Sequence, residues 1–425
     1  MGGTLRTGDR AGIEKTNMPS FRSYVLFWLK MGCVSFGGPA AHIALMHREV
    51  VERKGWVSEE RFSRALGFCM LLPGPEAQQL ATYIGWRMFG VRGGVIAGAL
   101  FVLPSALLLW LLCLVYVSGG HLPVVAGFFE GLQPVVVALI MNAAVRIGRT
   151  ALRSPFAAGV AAASFLLLAL WQTPSPLVLL GALATGFVFP SFFARAVERF
   201  GGDDPGGGRS VAAGCVALAV WLVPVSLLVV FERGILSQLA VFFSTTSLVT
   251  FGGAYAILPY VAEASVAYGW LAPREMLDGL GLAEATPGPL IIVLQFVGFL
   301  AGYHHPQGLP ALLAATAGSV VATWTTFVPS FAWIFLGAPH VERVLGNRRL
   351  SAGLGAVSAS VVGIVLSLAL WFGLQVFFPT GRADWFPVVL CVGALFLNRI
   401  GVVPLILLGG FAGVFRQAVF GWSIF

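Results

Sequence analysis

Charged side chains are scarce in this chain. Asp, Glu, Lys and Arg make up 10% of its 425 residues, whereas 58% of the residues are hydrophobic. A soluble domain typically carries about 25% charged residues, so this composition excludes that class. The apolar run over 93–117 exceeds the roughly 20 residues that a helix needs to cross a hydrocarbon core. The sequence therefore predicts an all-α, polytopic membrane protein that is surrounded by the lipid bilayer.

Motifs of enzymes and of cofactor sites are also missing from the sequence. The five cysteines form no Cys-x-x-Cys pair, and the six histidines show no metal-binding spacing. We therefore predict neither a disulfide framework nor a metal site. A phosphate-binding P-loop, a Gly-x-Ser-x-Gly motif and a dinucleotide fingerprint are absent as well. We expect a protein that is not an enzyme and uses no cofactor.

The net charge of +8 resides largely in short segments between the apolar runs. Basic loops of this kind are topology signals, because they concentrate on the cytoplasmic side of a membrane protein. We therefore expect no nucleic-acid partner. The basic N-terminus is placed in the cytoplasm, and it lacks the apolar core of a cleavable signal.

The chain contains an internal repeat. Ser-Phe-Gly-Gly at 35–38 returns as Thr-Phe-Gly-Gly at 250–253, and Pro-Gly-Pro at 73–75 returns at 287–289. The Gly/Asp-rich polar stretch between the copies is typical of a linker. We predict a cytoplasmic N-terminal segment, a first repeat, a cytoplasmic linker and a second repeat, at 1–20, 21–193, 194–210 and 211–425.

About 12–13 apolar runs are candidate transmembrane segments. They lie near 22–42, 62–86, 93–117, 123–145, 155–172, 175–193, 211–230, 235–260, 277–303, 309–336, 351–376, 386–398 and 401–418. Seven crossings separate the first Phe-Gly-Gly segment from the second, so the halves are predicted to run in opposite directions. Inverted repeats with interrupted helices are a recurring plan of secondary transporters. The sequence leaves open whether the Pro-Gly-Pro segments span the membrane or re-enter it.

The Pro-Gly-Pro motif predicts a break inside an apolar helix. Pro73 disfavours helix before it, and Pro75 suits the first turn of a new helix. That new helix would leave unpaired amides on its first residues, and a helix N-terminus attracts anions. A simple packing kink is the alternative. The same break is predicted at 287–289, and Gln79 and Thr286 add neutral hydrogen-bonding groups beside the two breaks.

The Phe-Gly-Gly segments and the charges nearby complete the predicted site. Their glycines permit either another unwound turn or close helix packing. Lys30 could supply a cation or extend to the interface, and Glu76 and Glu284 could carry protons or cap helices. The predicted substrate-binding set is Lys30, Gly37, Gly38, Pro39, Pro73, Gly74, Pro75, Glu76, Ala77, Gln78, Gln79, Gly252, Gly253, Thr286, Pro287, Gly288 and Pro289, with Glu76 and Glu284 as proton-coupling candidates.

Taken together, FGGP at 36–39, the Gly-Trp at 55–56 and PGPEAQQLATYIGWR at 73–87 resemble the chromate ion transporter family. The resemblance implies two homologous halves of opposite orientation that export chromate across the bacterial inner membrane and confer chromate resistance. The second half departs from the first, with Ala254 in place of Pro39 and Leu290 in place of Glu76. The alternatives are a carrier of sulfate or another oxyanion and an anion channel. The oligomeric state is open, and a homodimer is one option.

Overall fold

The computed structural model describes residues 18–120, 122–193, 207–232, 234–340, 348–379, 384–397 and 400–420. All regular elements within these ranges are helical. Six of these helices are long and apolar enough to cross a membrane: Glu76–Gly119, Pro123–Ala151, Gly208–Phe231, Ala311–His340, Arg348–Phe377 and Val402–Val419. The predicted class of an all-α, multi-pass membrane protein is confirmed.

The first repeat contains short helices followed by long ones. They are α1 (Phe21–Val34), α2 (Gly38–His47), α3 (Glu59–Cys69), α4 (Glu76–Gly119), α5 (Pro123–Ala151), α6 (Pro155–Trp171), α7 (Ser175–Val188) and the single-turn α8 (Pro190–Phe193). Non-helical backbone at Phe89 and Gly90 divides α4 into two arms, 76–88 and 91–119. A π-helical segment, Arg48–Arg53, extends α2.

A connecting helix and a second set of helices follow. They are α9 (Gly207–Phe231), α10 (Ile235–Val249), α11 (Ala254–Ala267), α12 (Pro273–Ala285), α13 (Val293–His304), α14 (Ala311–Gly337), α15 (Arg348–Phe377), α16 (Trp385–Phe396) and α17 (Val402–Phe420). A 3-10 turn, Leu290–Ile292, directly precedes α13. The predicted linker 194–210 is helical from Gly207 onward, and its residues 194–206 lie outside the described ranges.

The Pro-Gly-Pro segments are the tips of helical hairpins. In the first repeat, the rings of Phe68 in α3 and Tyr83 in α4 lie 5.8 Å apart although the break separates them in the chain. In the second, the His304 Nδ1 lies 3.0 Å from the Trp270 carbonyl oxygen, which joins the far ends of the hairpin formed by α12 and α13. The two helices of each pair therefore fold back on each other, as a re-entrant hairpin would.

The Phe-Gly-Gly segments are also tips at which the chain turns back. The ring of Phe27 in α1 lies 4.7 Å from that of Trp56, which follows α2. The equivalent residues of the second repeat, Phe242 and Trp270, have ring centroids 5.2 Å apart. The same contact at a matched position shows that the two repeats share a fold. The stretches 22–42, 62–86, 235–260 and 277–303 are thus helix pairs rather than single spans.

Long helices of the two repeats pack against each other in opposite directions. Trp110 in α4 donates to the hydroxyl of Thr316 in α14 at 3.2 Å, and Gly94 at the other end of that arm lies against Phe335. The order of these contacts makes the two helices antiparallel.

Glycines allow other helices to approach very closely, as Gly131 of α5 does against Gly409 and Gly413 of α17. Most of the buried apolar residues form a core around α5, α11 to α13 and α15.

Candidate functional site

The hairpin tips of one repeat bind the backbone of the other repeat. The amide of Gly74 donates to the carbonyl of Thr250 at 2.8 Å, and the amide of Gly288 donates to the carbonyl of Ser35 at 2.6 Å. Ser35 and Thr250 directly precede the two Phe-Gly-Gly motifs. The two hydrogen bonds are equivalent under the exchange of the repeats, so all four tips converge in one region of the molecule.

Glycine is required at the tips because of backbone conformation. Six motif glycines have positive φ, a region that side chains disfavour. They are Gly37 (φ 95°), Gly38 (77°), Gly74 (120°), Gly252 (80°), Gly253 (92°) and Gly288 (106°). The breaks predicted from sequence lie at these residues, since α3 ends at Cys69 and α4 begins at Glu76.

Three α-helices and one 3-10 turn begin at the tips without a side chain that caps their first amides. Gly37, Pro75, Gly253 and Pro289 are the residues that precede these starts, at α2, α4, α11 and the turn before α13. The first amides of a helix have no intrahelical partner, and the aligned peptide dipoles place partial positive charge there. The convergence of four such ends creates a region that is suited to a negatively charged ligand.

Both predicted coupling carboxylates are buried at these tips. Glu76 is 9% exposed and Glu284 is 7% exposed. Tyr255, in the first turn of α11, donates to Glu284 Oε1 at 2.6 Å. The Glu76 carboxylate lies over Gly253, where a Cβ built on the glycine would be 3.8 Å from Oε1. The structure thus places Glu76 beside Gly253 of the second Phe-Gly-Gly motif and Glu284 beside the first turn of α11, which follows it.

The predicted neutral groups mostly bind the backbone near the tips. Gln78 Nε2 donates to the carbonyl of Phe327 at 3.2 Å, Gln79 Nε2 to that of Pro73 at 2.7 Å, and the Thr286 hydroxyl to that of Ala283 at 2.9 Å. Within the described part of the chain, the side-chain oxygens of both glutamines have no hydrogen-bond partner. The side chains therefore stabilise the hairpin tips and leave acceptors in the same region.

Sequence reasoning missed two serines that face the tips. A Cβ on Gly74 would be 2.9 Å from Ser330 Oγ, and one on Gly288 would be 2.8 Å from Ser105 Oγ. Among the described residues, neither of these buried hydroxyls has a hydrogen-bond partner. Each serine follows a proline, Pro104 or Pro329, in a matched position of the two repeats. The repetition of this Pro-Ser pair in both halves is the sequence feature from which the two serines could have been predicted as site residues.

Arg146 was also missed, because the apolar run predicted over 123–145 ends one residue before it. The helix α5 continues to Ala151, so Arg146 lies within it. Its Nη1 is 3.5 Å from the carbonyl oxygen of Gly37. Lys30, the cation chosen from sequence, lies on the exposed face of α1, and no contact within the described ranges joins it to the tips.

The fold and the site define a class: a multi-pass membrane protein with two equivalent sets of helical hairpins whose tips meet in the interior. Comparison with known proteins identifies the family. The model of the chromate transporter family matches residues 22–187 and 237–414, so the chain belongs to that family. The two matched regions contain the equivalent helix sets of the two repeats.

Similar proteins extend over most of the chain. A chromate transport protein of Pseudomonas aeruginosa is 33% identical over 91% of this chain and 90% of its own length. One from Cupriavidus metallidurans is 28% identical over 81% of each chain. A probable chromate transport protein of Synechococcus elongatus is 27% identical over 84% of this chain and 85% of its own length. No solved structure matches the chain.

Proposed function

We propose that this protein exports chromate from the cytoplasm through the inner membrane and binds it where the four hairpin tips meet. The observation that carries the proposal is the convergence of three uncapped α-helix starts and one 3-10 turn on buried, polar surroundings. Membership of the chromate transporter family supports the choice of ligand. Backbone amides and hydroxyl groups could replace the hydration shell of a tetrahedral dianion.

The proposed mechanism uses an inverted arrangement of the repeats. The second arm of α4 and its equivalent α14 pack antiparallel, as do α5 and α15, in which Gly148 lies beside Val362 and Gly373 beside Val137. Two similar halves in opposite orientation can exchange conformations and so expose one site to either side in turn. The first pair of hairpins would then face the cytoplasm.

We propose that Glu76 and Glu284 couple transport to protons. A carboxylate close to the binding region repels a dianion, and it loses that repulsion when it takes up a proton. Exchange of Glu76 for Gln should preserve chromate binding and remove the pH dependence of transport, whereas a purely capping carboxylate would make the exchange nearly silent. The membrane potential favours outward movement of a dianion as well, by about 2.3 kcal/mol per charge per 100 mV.

The decisive experiment is chromate uptake into everted membrane vesicles, with and without an imposed potential or pH gradient. Saturable uptake that a gradient accelerates supports export by a carrier. Stronger inhibition by sulfate than by chromate itself would make sulfate the preferred substrate, and unsaturable flux with measurable single-channel current would indicate a channel. Vesicles that take up no chromate under any gradient would refute the proposal.

A further inference from the structure

We propose that Arg146 is the cation that binds the transported oxyanion, at the start of α2. The inference rests on the proposed function, and it names the side chain that supplies the positive charge a bound dianion requires. Arg146 lies in the last two turns of α5, and its side chain is exposed. The sequence around it, Ala-Ala-Val-Arg-Ile-Gly-Arg, contains a second arginine three residues later, Arg149.

The guanidinium of Arg146 flanks the first Phe-Gly-Gly tip. Nη1 lies 3.5 Å from the carbonyl oxygen of Gly37, and a Cβ on Gly38 would be 3.6 Å from Nη2. Gly37 precedes α2, whose first amides are capped by no side chain. A guanidinium presents several N–H donors in a plane and binds oxyanions through two of them at once. An oxyanion at this point would receive donors from both the arginine and the helix.

A buried histidine on the same helix independently indicates a ligand. His42 lies one turn beyond Gly38 and is 0% exposed. Neither of its ring nitrogens makes a well-formed hydrogen bond among the described residues, although the ring lies near the Ser35 backbone and Arg146. An unpaired buried polar group is costly, so such groups are normally satisfied by protein, water or a ligand. An anion bound at the start of α2 would supply an acceptor for a donating ring nitrogen.

The two Phe-Gly-Gly tips differ in the charge beside them. Gly38 is flanked by Arg146 and by the hydroxyl of Tyr255, whereas its equivalent Gly253 is flanked by the carboxylate of Glu76. As long as Glu76 is ionised, a dianion is therefore favoured at the start of α2 over the start of α11. The Tyr255 hydroxyl donates to Glu284. The carboxylate of Glu284 is therefore the negative charge that lies near Arg146 at this tip. The first repeat thus holds the anion, and the second contributes the neighbouring hydroxyl.

The test is equilibrium binding of chromate to purified, monodisperse protein in detergent. Exchange of Arg146 for Ala or Gln should weaken binding about tenfold or more, because hydrogen bonds to a charged group are the strong ones. Exchange for Lys keeps the charge but loses the paired donors, so it should weaken binding by a smaller factor. Arg149→Ala is the matched control on α5, and it should bind like wild type.

The possible outcomes separate this inference from the proposed function. Wild-type protein that does not bind chromate would refute the proposed function itself. If wild type binds and Arg146→Ala and Arg146→Gln bind within about twofold of it, Arg146 is not the binding cation. Should the Ala variant aggregate, the Gln and Lys variants decide the matter, since both retain a polar, flexible side chain at this position. Loss of binding in Arg149→Ala to the same extent would also overturn the assignment.

Discussion

At the scale of single residues, Gly74 shows how backbone and contact requirements coincide. Its φ of 120° disfavours any side chain, and a Cβ would lie 2.9 Å from both Gln79 Nε2 and Ser330 Oγ. Its amide is also the group that binds Thr250 of the second repeat. A substitution here strains the tip and moves it away from the opposite repeat.

We predict that Gly74→Leu abolishes chromate binding while the protein still inserts in the membrane. The left-handed backbone alone costs about 1–2 kcal/mol for a residue with a Cβ, and the side chain would displace Ser330. Binding to purified protein and its elution profile on size exclusion measure the two effects.

Gly90 provides the control for Gly74. Its φ is 65°, but a Cβ would meet no atom within 4 Å. Gly90→Asn therefore imposes the backbone strain without the contact and should retain binding. Normal chromate binding by Gly74→Leu would refute the role of this tip. An equal loss of binding in Gly90→Asn would show that backbone strain alone, without the contact to Ser330, abolishes binding.

At the scale of elements, the contact between α5 and α17 depends on the absence of side chains. A Cβ on Gly131 would clash with the backbone of Gly409 and Gly413, whereas one on Gly159 in α6 would meet nothing within 4 Å. Membrane helices associate through such close packing, since the lipid is as apolar as their side chains. The two glycines thus form a matched pair of test positions.

We predict that Gly131→Ala destabilises the protein by about 1–3 kcal/mol, the usual cost of overpacking. Gly159→Ala should be neutral or slightly stabilising, because alanine favours helix over glycine. Thermal unfolding in one detergent gives both values. Equal melting temperatures for the two variants would contradict the close packing of α5 on α17.

The two Pro-Gly-Pro hairpins carry opposite charges at equivalent positions. Arg61 and Arg64 of α3 correspond to Glu275 and Asp278 of α12, since both differences in number are 214. Arg61 and Arg64 line one cleft together with Arg87. Asp278 accepts hydrogen bonds from Tyr116 at 3.0 Å and Gln133 at 2.9 Å, and it lines a cavity of about 340 Å³. The two faces therefore differ in the potential that an approaching anion meets.

We predict that an oxyanion associates faster from the face of the first hairpin, because charge of opposite sign steers diffusion. The double variant Arg61→Ala, Arg64→Ala should slow initial uptake from that face at low ionic strength and much less at about 0.5 M salt, where screening is strong. Arg53→Ala, outside the cleft, is the control. Uptake measured in everted and right-side-out vesicles gives the comparison, and an unchanged salt dependence would refute the prediction.

At the scale of the whole molecule, the antiparallel packing of equivalent helices implies opposite orientation of the repeats. Lys54 and Tyr268 occupy matched positions beside Gly55 and Gly269, and both side chains are exposed. Single cysteines at these two positions, in a background without the native cysteines, should react with an impermeant maleimide from opposite sides of the membrane. Labelling of both from the same side would show that the repeats run parallel.

The sequence by itself determined the class, the duplication and the positions of the breaks. Length and apolarity of a run act locally, and proline and glycine constrain their own backbone, so each of these features is readable without knowledge of the neighbours. The break predicted at 73–75 lies between Cys69 and Glu76 in the structure. The apolar run predicted over 123–145 is a helix over 123–151, so its start was predicted correctly and its end six residues too early. The family resemblance rested on the same local motifs.

Tertiary structure alone decided which groups meet. The chain reverses at each tip instead of continuing as one long helix, and the tips gain backbone hydrogen bonds from the opposite repeat, as between Gly288 and Ser35. Arg146 reaches Gly37 across 109 positions of sequence, while Lys30, closer in sequence, faces outward from α1. Such contacts depend on how closely long helices pack and on which face each turns inward. Those are properties of the assembled bundle, which no single segment specifies.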